Sequence, residues 1–191
     1  MLFDMISPIY SMFFNLQVRY YRGVLGRMMT QTDIERYKTV LDLGCGTGAL
    51  SYVLQEFGKE VVGVDTSSGM LKQAKKKLEG TRIKLIKINP DEMLPFEDKS
   101  FDLAISSYVI HGLKHTEREK VYGELSRISK HSIIFHDYNQ KRSILTDIIE
   151  FLEGGDYFNF IEVAEQEMEQ CFMDVEVIDV DKRSSWYIIK G

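Results

Sequence analysis

The run Val40-Leu41-Asp42-Leu43-Gly44-Cys45-Gly46-Thr47-Gly48-Ala49 constrains this chain more than any other stretch of it. An apolar strand leads directly into three glycines at alternate positions, and a helix is expected to begin near Thr47. Glycines there let the backbone turn sharply and pass within contact distance of a ligand, which a Cβ would block. The next apolar run, Val61-Val62-Gly63-Val64, ends on Asp65, nineteen residues past Gly46. That is the spacing of a carboxylate that grips ribose hydroxyls. Taken alone, the glycines describe an ordinary tight turn and Asp65 a solvated strand end. Strand, glycines, helix and spaced acid occur together, which points to a nucleoside site at the carboxyl end of the first strand.

The remaining chain repeats the alternation. Strands are expected at Thr39–Leu43, Glu60–Val64, Arg82–Lys87, Phe101–Ser106 and Ser132–His136. Most are rich in Val, Ile and Leu without polar alternation, as parallel strands covered on both faces should be. Between them, Ser67 or Ser68 can cap a helix burying Met70, Leu71, Ala74 and Leu78, with Lys72, Lys75, Lys76 and Lys77 mainly opposite. Thr116 and Glu119 fit a capping box before the stripe Val121, Leu125 and Ile128. Ile144, Leu145, Ile148 and Leu152 form another stripe, ended by Gly154-Gly155. After an acidic helix near Phe160–Gln170, strands at Met173–Val180 and Ser185–Lys190 are too close for a crossover and should form an antiparallel hairpin. The expected fold is α/β: a doubly wound, mostly parallel, seven-stranded Rossmann-like sheet with an antiparallel C-terminal hairpin at one edge.

No linker or repeat divides the 191 residues, so 1–191 reads as one domain. Within it, 1–30 would be a helical lid, 39–136 the cofactor-binding core, 140–172 a helical cap and 173–190 the hairpin. A formal charge of −5 argues against a nucleic-acid footprint. Two cysteines, Cys45 and Cys171, build no disulfide framework and suit a reducing, cytoplasmic setting. No apolar run reaches the length of a membrane span. The first eighteen residues carry an acid and no Lys or Arg, unlike a signal peptide.

Two ligand classes compete for the glycine turn. Gly44, Gly46 and Ala49 also satisfy a dinucleotide fingerprint, which would make the chain an NAD-dependent oxidoreductase. Asp42 discriminates, because a carboxylate just before the turn would repel a pyrophosphate resting on the helix N-terminus. S-adenosyl-L-methionine carries a sulfonium, an ammonium and no phosphate, so an acid near its cationic end attracts it.

Val40 to Gly48 resembles the first motif of the class I S-adenosylmethionine-dependent methyltransferases. Val61-Val62-Gly63-Val64-Asp65-Thr66-Ser67, Met93-Leu94-Pro95-Phe96 and Ser100-Phe101-Asp102-Leu103 follow in that family's order. The ubiquinone/menaquinone-biosynthesis-like members are the most similar, down to Phe3-Asp4-Met5-Ile6-Ser7-Pro8-Ile9-Tyr10. The likeness covers residues 1–136 well and then only the terminal hairpin. It implies methyl transfer from S-adenosyl-L-methionine, leaving S-adenosyl-L-homocysteine, to a small-molecule acceptor. By the same resemblance, Asp42, Gly44, Cys45, Gly46 and Gly48 surround the methionine end, Asp65 the ribose, and Thr66 or Met70 the adenine. The family's adenine-binding acid is replaced by Pro90, leaving Asp91 or Asn89 for that contact. This departure keeps open an adenosyl-binding or regulatory module without turnover.

Ser106, Ser107 and Tyr108 close the fourth strand and would face the transferred methyl. A base is required only where the acceptor must lose a proton. His111, His136 and Asp137 are the candidates, all at carboxyl ends of strands. His115 reads as a surface residue. Asp137 and Asn139 lack the third carboxylate of a divalent-metal site. Pro8–Met29 has Ile9, Met12, Phe13, Leu16, Tyr20 and Val24 at mostly helical spacing, with Tyr10, Phe14 and Tyr21 beside them. It reads as a helix packed on the core or as a lid whose aromatics line an apolar acceptor pocket. Its Arg19, Arg22 and Arg27 are too few for a membrane-surface helix. The glutamates at 162, 165, 167 and 169 read as a solvated face.

Overall fold

The computed structural model describes residues 2–141 and 155–191. The stripe expected at Ile144–Leu152 lies outside the described residues, as do residues 142–154 of the expected 140–172 cap. Strands β1 (Thr39–Leu43), β2 (Glu60–Asp65), β3 (Lys84–Lys87), β4 (Phe101–Ser107), β5 (Ser129–Tyr138), β6 (Val175–Asp179) and β7 (Ser184–Lys190) form a single sheet. Its order is β3-β2-β1-β4-β5-β7-β6. The first five run parallel, and β7 lies antiparallel between β5 and β6. The chain winds outward from β1 to β3, then crosses to β4 on the other side of β1. The topological switch point therefore falls between β1 and β4, at their carboxyl ends.

Strand alternation sorts the apolar residues into two cores. Val40, Val61, Leu103, Ile105, Ile134, Trp186 and Ile188 face α2 (Phe14–Gln31), α3 (Ala49–Glu56) and α4 (Ser68–Lys77). Leu41, Val64, Ala104, Ile133, Phe135 and Ile189 face α5 (His115–Ile128) and α6 (Tyr157–Cys171). Burial of Val24, Leu25 and Met28 fixes α2 to the sheet. Each such side chain contributes about 1.5–3 kcal/mol.

The structure departs from the expected elements in three places. The N-terminal segment is two helices, α1 (Leu2–Met12) and α2, broken at Phe13, instead of one from Pro8 to Met29. Helix α5 starts before Thr116: the Glu117 carboxylate accepts from the Lys114 amide at 2.7 Å and stabilises the earlier start. Glu167 is not solvated. It accepts two bonds from the fully buried Arg118 guanidinium, at 2.8 and 2.7 Å, and one from the Tyr122 hydroxyl at 2.9 Å. This network ties α6 to α5, because an unpaired buried guanidinium would be far costlier than the pair.

Candidate functional site

Strand β1 delivers Asp42 to the end of the sheet, and the turn after it bends through Gly44, Gly46 and Gly48 at φ 72°, 54° and 84°. The three glycines meet different surroundings. A Cβ on Gly44 would collide with Val109, and one on Gly48 would lie 2.6 Å from Leu78 Cδ1. A Cβ on Gly46 would have nothing within 4 Å. Gly44 and Gly48 thus serve internal packing, whereas Gly46 borders open space between β1 and β2. Gly48 caps α3, so the first amides of that helix also lie at the crevice.

Two carboxylates flank this cradle. Asp65 Oδ2 accepts from the Gly46 amide at 2.8 Å, and Oδ1 from the Ser67 amide at 2.8 Å. Burial nevertheless raises the Asp65 pKa above the ordinary carboxylate value. Asp42 is buried and accepts from the Ser51 hydroxyl at 2.5 Å. Burial, with a smaller push from the Asp65 charge, raises its pKa to about 7. A phosphate-free cation is the ligand that would relieve both acids. A pyrophosphate would raise the electrostatic cost of each. The open cradle and the paired acids therefore fit an adenosyl sulfonium.

The other cofactor candidates divide. The Cys45 side chain packs against Gly63, and burial pushes its thiol pKa upward, so only its backbone faces the turn. Ser106 is buried and donates to the Leu43 carbonyl at 3.1 Å. Thr66 is half-buried, and Met70 is buried in the first turn of α4. Asn89 and Asp91 lie exposed beyond β3. There the Asn89 side chain accepts from the Asp91 amide at 3.2 Å and donates to Glu92 at 2.8 Å, closing a turn around Pro90.

The catalytic candidates also separate. His111 Nδ1 lies 2.7 Å from Asp137 Oδ1, and Asp137 Oδ2 accepts from the amides of Val109, Ile110 and His111. The carboxylate therefore holds both the imidazole and the short turn Ile110–Gly112 that carries it. His136 lies within a separate cluster. Its Nε2 is 3.0 Å from the Tyr20 hydroxyl and its Nδ1 3.4 Å from Ser107 Oγ. Tyr20 also meets Tyr108 and Ser184, each at 3.1 Å, and Tyr21 meets Ser107 at 3.0 Å. Burial lowers the His136 pKa to about 4, so its imidazole is neutral and acts as an anchor for α2. Tyr108, at φ 53°, is one of two non-glycine residues in the left-handed region among those described.

Several contacts were missed by sequence reasoning. Ser67 joins Asp65 to α1: its hydroxyl donates to Asp4 Oδ1 at 2.7 Å, and the same oxygen of Asp4 accepts from Gly69 at 2.8 Å. Ser51, the partner of Asp42, was signalled only by a lone hydroxyl on the apolar stripe Leu50, Val53 and Leu54. A cavity of about 330 Å³ bounded by Thr30, Tyr37, Ser132 and Lys190 lies near the amino end of β5, away from all these residues.

Sheet order, switch-point glycines and flanking acids define a class I S-adenosylmethionine-dependent methyltransferase fold. Residues 40–132 match the methyltransferase-domain family model. The chain is similar to that class, its menaquinone-type members included, a likeness that implies S-adenosyl-L-methionine as the cofactor. An uncharacterized protein of Methanocaldococcus jannaschii is 36% identical over 115 residues, 60% of this chain and 42% of that protein. The demethylmenaquinone methyltransferase of Thermus thermophilus is 30% identical over 135 residues, covering 66% of this chain and 59% of that enzyme. This chain thus spans about two fifths to three fifths of these relatives' lengths. A solved Methanococcus maripaludis protein, proposed to be an S-adenosyl-L-methionine-dependent methyltransferase, superposes with a TM-score of 0.73 at 19% identity. That match covers 97% of this chain and 92% of the other, and at such identity it speaks for the fold.

Proposed function

We propose that the chain transfers a methyl group from S-adenosyl-L-methionine to a small-molecule acceptor by in-line displacement. The observation that carries this reading is the open face of Gly46, whose amide donates to Asp65, in the turn that follows the buried acid Asp42. The bound cofactor supplies an electrophilic methyl on a sulfonium, so alignment of the acceptor provides much of the catalysis. Asp42 and the backbone of Gly44, Cys45, Gly46 and Gly48 hold the cationic end, and Asp65 the ribose. Thr66 and Met70 flank the adenine, with Asn89 or Asp91 at its edge, and Ser106 closes β4 on the side of the transferred methyl. His111, oriented by Asp137, takes a proton from an acceptor that must lose one. His136 positions Tyr20 and Tyr108. Clustering of Tyr20, Tyr21, Tyr108 and Tyr138 near these histidines favours an apolar or aromatic acceptor.

A second reading, an adenosyl-binding module without turnover, is favoured by one feature. The Asn89 side chain is committed to the turn around Pro90, where the family has an acid. Incubation with methyl-labelled S-adenosyl-L-methionine and a panel of phenols, quinols and amines decides between them. Acceptor-dependent release of S-adenosyl-L-homocysteine supports the enzyme. Cofactor binding with no such release across the panel supports the module.

A further inference from the structure

The geometry points to a second surface: the α1–α2 junction and α4 together form a docking face for an anionic lipid surface. Ile9, Met12, Phe13 and Leu16 are 56%, 79%, 51% and 64% exposed. They follow one another through the last turn of α1, the break at Phe13 and the first turn of α2. Four large apolar side chains presented together to water mark an interaction site, whereas single exposed ones do not. Nothing in α1 or the start of α2 says what covers the stripe. The neighbouring helix does.

Helix α1 lies along α4. Near the start of α4, Gly69 sits so close to Asp4 that a Cβ would come 2.8 Å from its Cα. At the far end, Lys77 Nζ lies 5.4 Å from the Phe14 ring centroid. Helix α4 exposes Lys72, Lys75, Lys76 and Lys77, and none of them forms an ion pair among the described residues. The adjacent Asp4 carboxylate accepts from Ser67 and Gly69. In a chain of net charge −5 this is a local positive excess beside an apolar stripe. Those are the two signals that hold a protein at an anionic bilayer surface. The N-terminal segment alone has too few basic residues, and packing against α4 supplies them. No described helix is long and apolar enough to cross a membrane, so the contact is peripheral.

Co-sedimentation with vesicles tests this surface, with folding of each variant checked by thermal melting. The intact chain should bind vesicles of phosphatidylcholine mixed with phosphatidylglycerol, weakly or not at all bind phosphatidylcholine alone, and dissociate as salt is raised. A basic side chain near such a surface contributes about 1 kcal/mol, or about fivefold. Lys72→Gln with Lys76→Gln should therefore cut binding roughly thirtyfold, and Met12→Ser with Phe13→Ser at least about tenfold. Equal binding to neutral and anionic vesicles, or none to either, overturns the proposal. So does a concentration-dependent dimer that Met12→Ser with Phe13→Ser abolishes, since a second copy would then cover the stripe.

Discussion

The carboxylate of Asp65 accepts the amide hydrogen of Gly46 at 2.8 Å, joining the end of β2 to the turn that follows β1. The same carboxylate holds the Ser67 amide, so one side chain shapes both walls of the crevice. Hydrogen bonds to a charged group are worth about 1.5–3 kcal/mol each. Asp65→Ala should weaken S-adenosyl-L-homocysteine about 10- to 100-fold by titration calorimetry. An unchanged affinity would place the ribose elsewhere.

Asp42 gives two effects of opposite sign. Its folded pKa of about 7 lies above its unfolded value of 3.8, so the folded state favours the protonated acid. Stability is then greatest below pH 4 as far as this group is concerned, and is lost as pH rises through about 7. A bound sulfonium favours the ionised form, so affinity for S-adenosyl-L-methionine should increase with pH up to about 7. Asp42→Asn should flatten both trends, raising the melting temperature at pH 8 while weakening the cofactor. Melting and calorimetry across pH 5–8 check this pair. A variant that binds with the wild-type pH dependence would contradict it.

Gly46 and Gly48 should part company on substitution. Both have positive φ, which costs an alanine about 1–2 kcal/mol. Gly48→Ala adds a 2.6 Å approach to Leu78 and should lose further stability. Gly46→Ala meets no neighbour in the protein, so its larger effect should fall on cofactor affinity. Paired melting and binding curves test the contrast. The account fails if Gly46→Ala loses stability alone.

The contrast shows what was legible beforehand. The glycine turn, Asp65, the five parallel strands and the closing hairpin are local patterns, carried by apolar runs and fixed spacings. Pairings between distant elements were not legible. Glu167 looks like one of four surface glutamates until the fold brings Arg118, forty-nine residues away, against it. His111 and His136 look alike as strand-end histidines. They differ because Asp137 meets the first and Tyr20, from the N-terminal helix, meets the second. The exposed side of Ile9 to Leu16 was equally hidden, since helical spacing names a stripe without saying what covers it.

Arg118 and Glu167 supply a prediction about stability. Removing one partner of a buried pair costs about 3–5 kcal/mol. At about 2–4 °C per kcal/mol for a chain of this size, Glu167→Ala should lower the melting temperature by roughly 10 °C. Cofactor affinity should remain within about twofold, because α5 and α6 pack on the face away from α3 and α4. A shift below about 2 °C would show that the pair contributes little.

The most direct measurement is thermal melting with S-adenosyl-L-homocysteine, S-adenosyl-L-methionine and NAD in parallel. A ligand at about 100 times its dissociation constant adds ~2.7 kcal/mol, a rise of about 5–10 °C here. Both adenosyl ligands should produce that rise and NAD none. Stabilisation by NAD alone would mean that the turn at Gly44–Gly48 holds a diphosphate, and the reading of Asp42 and Asp65 as the holders of a cationic nucleoside would be wrong.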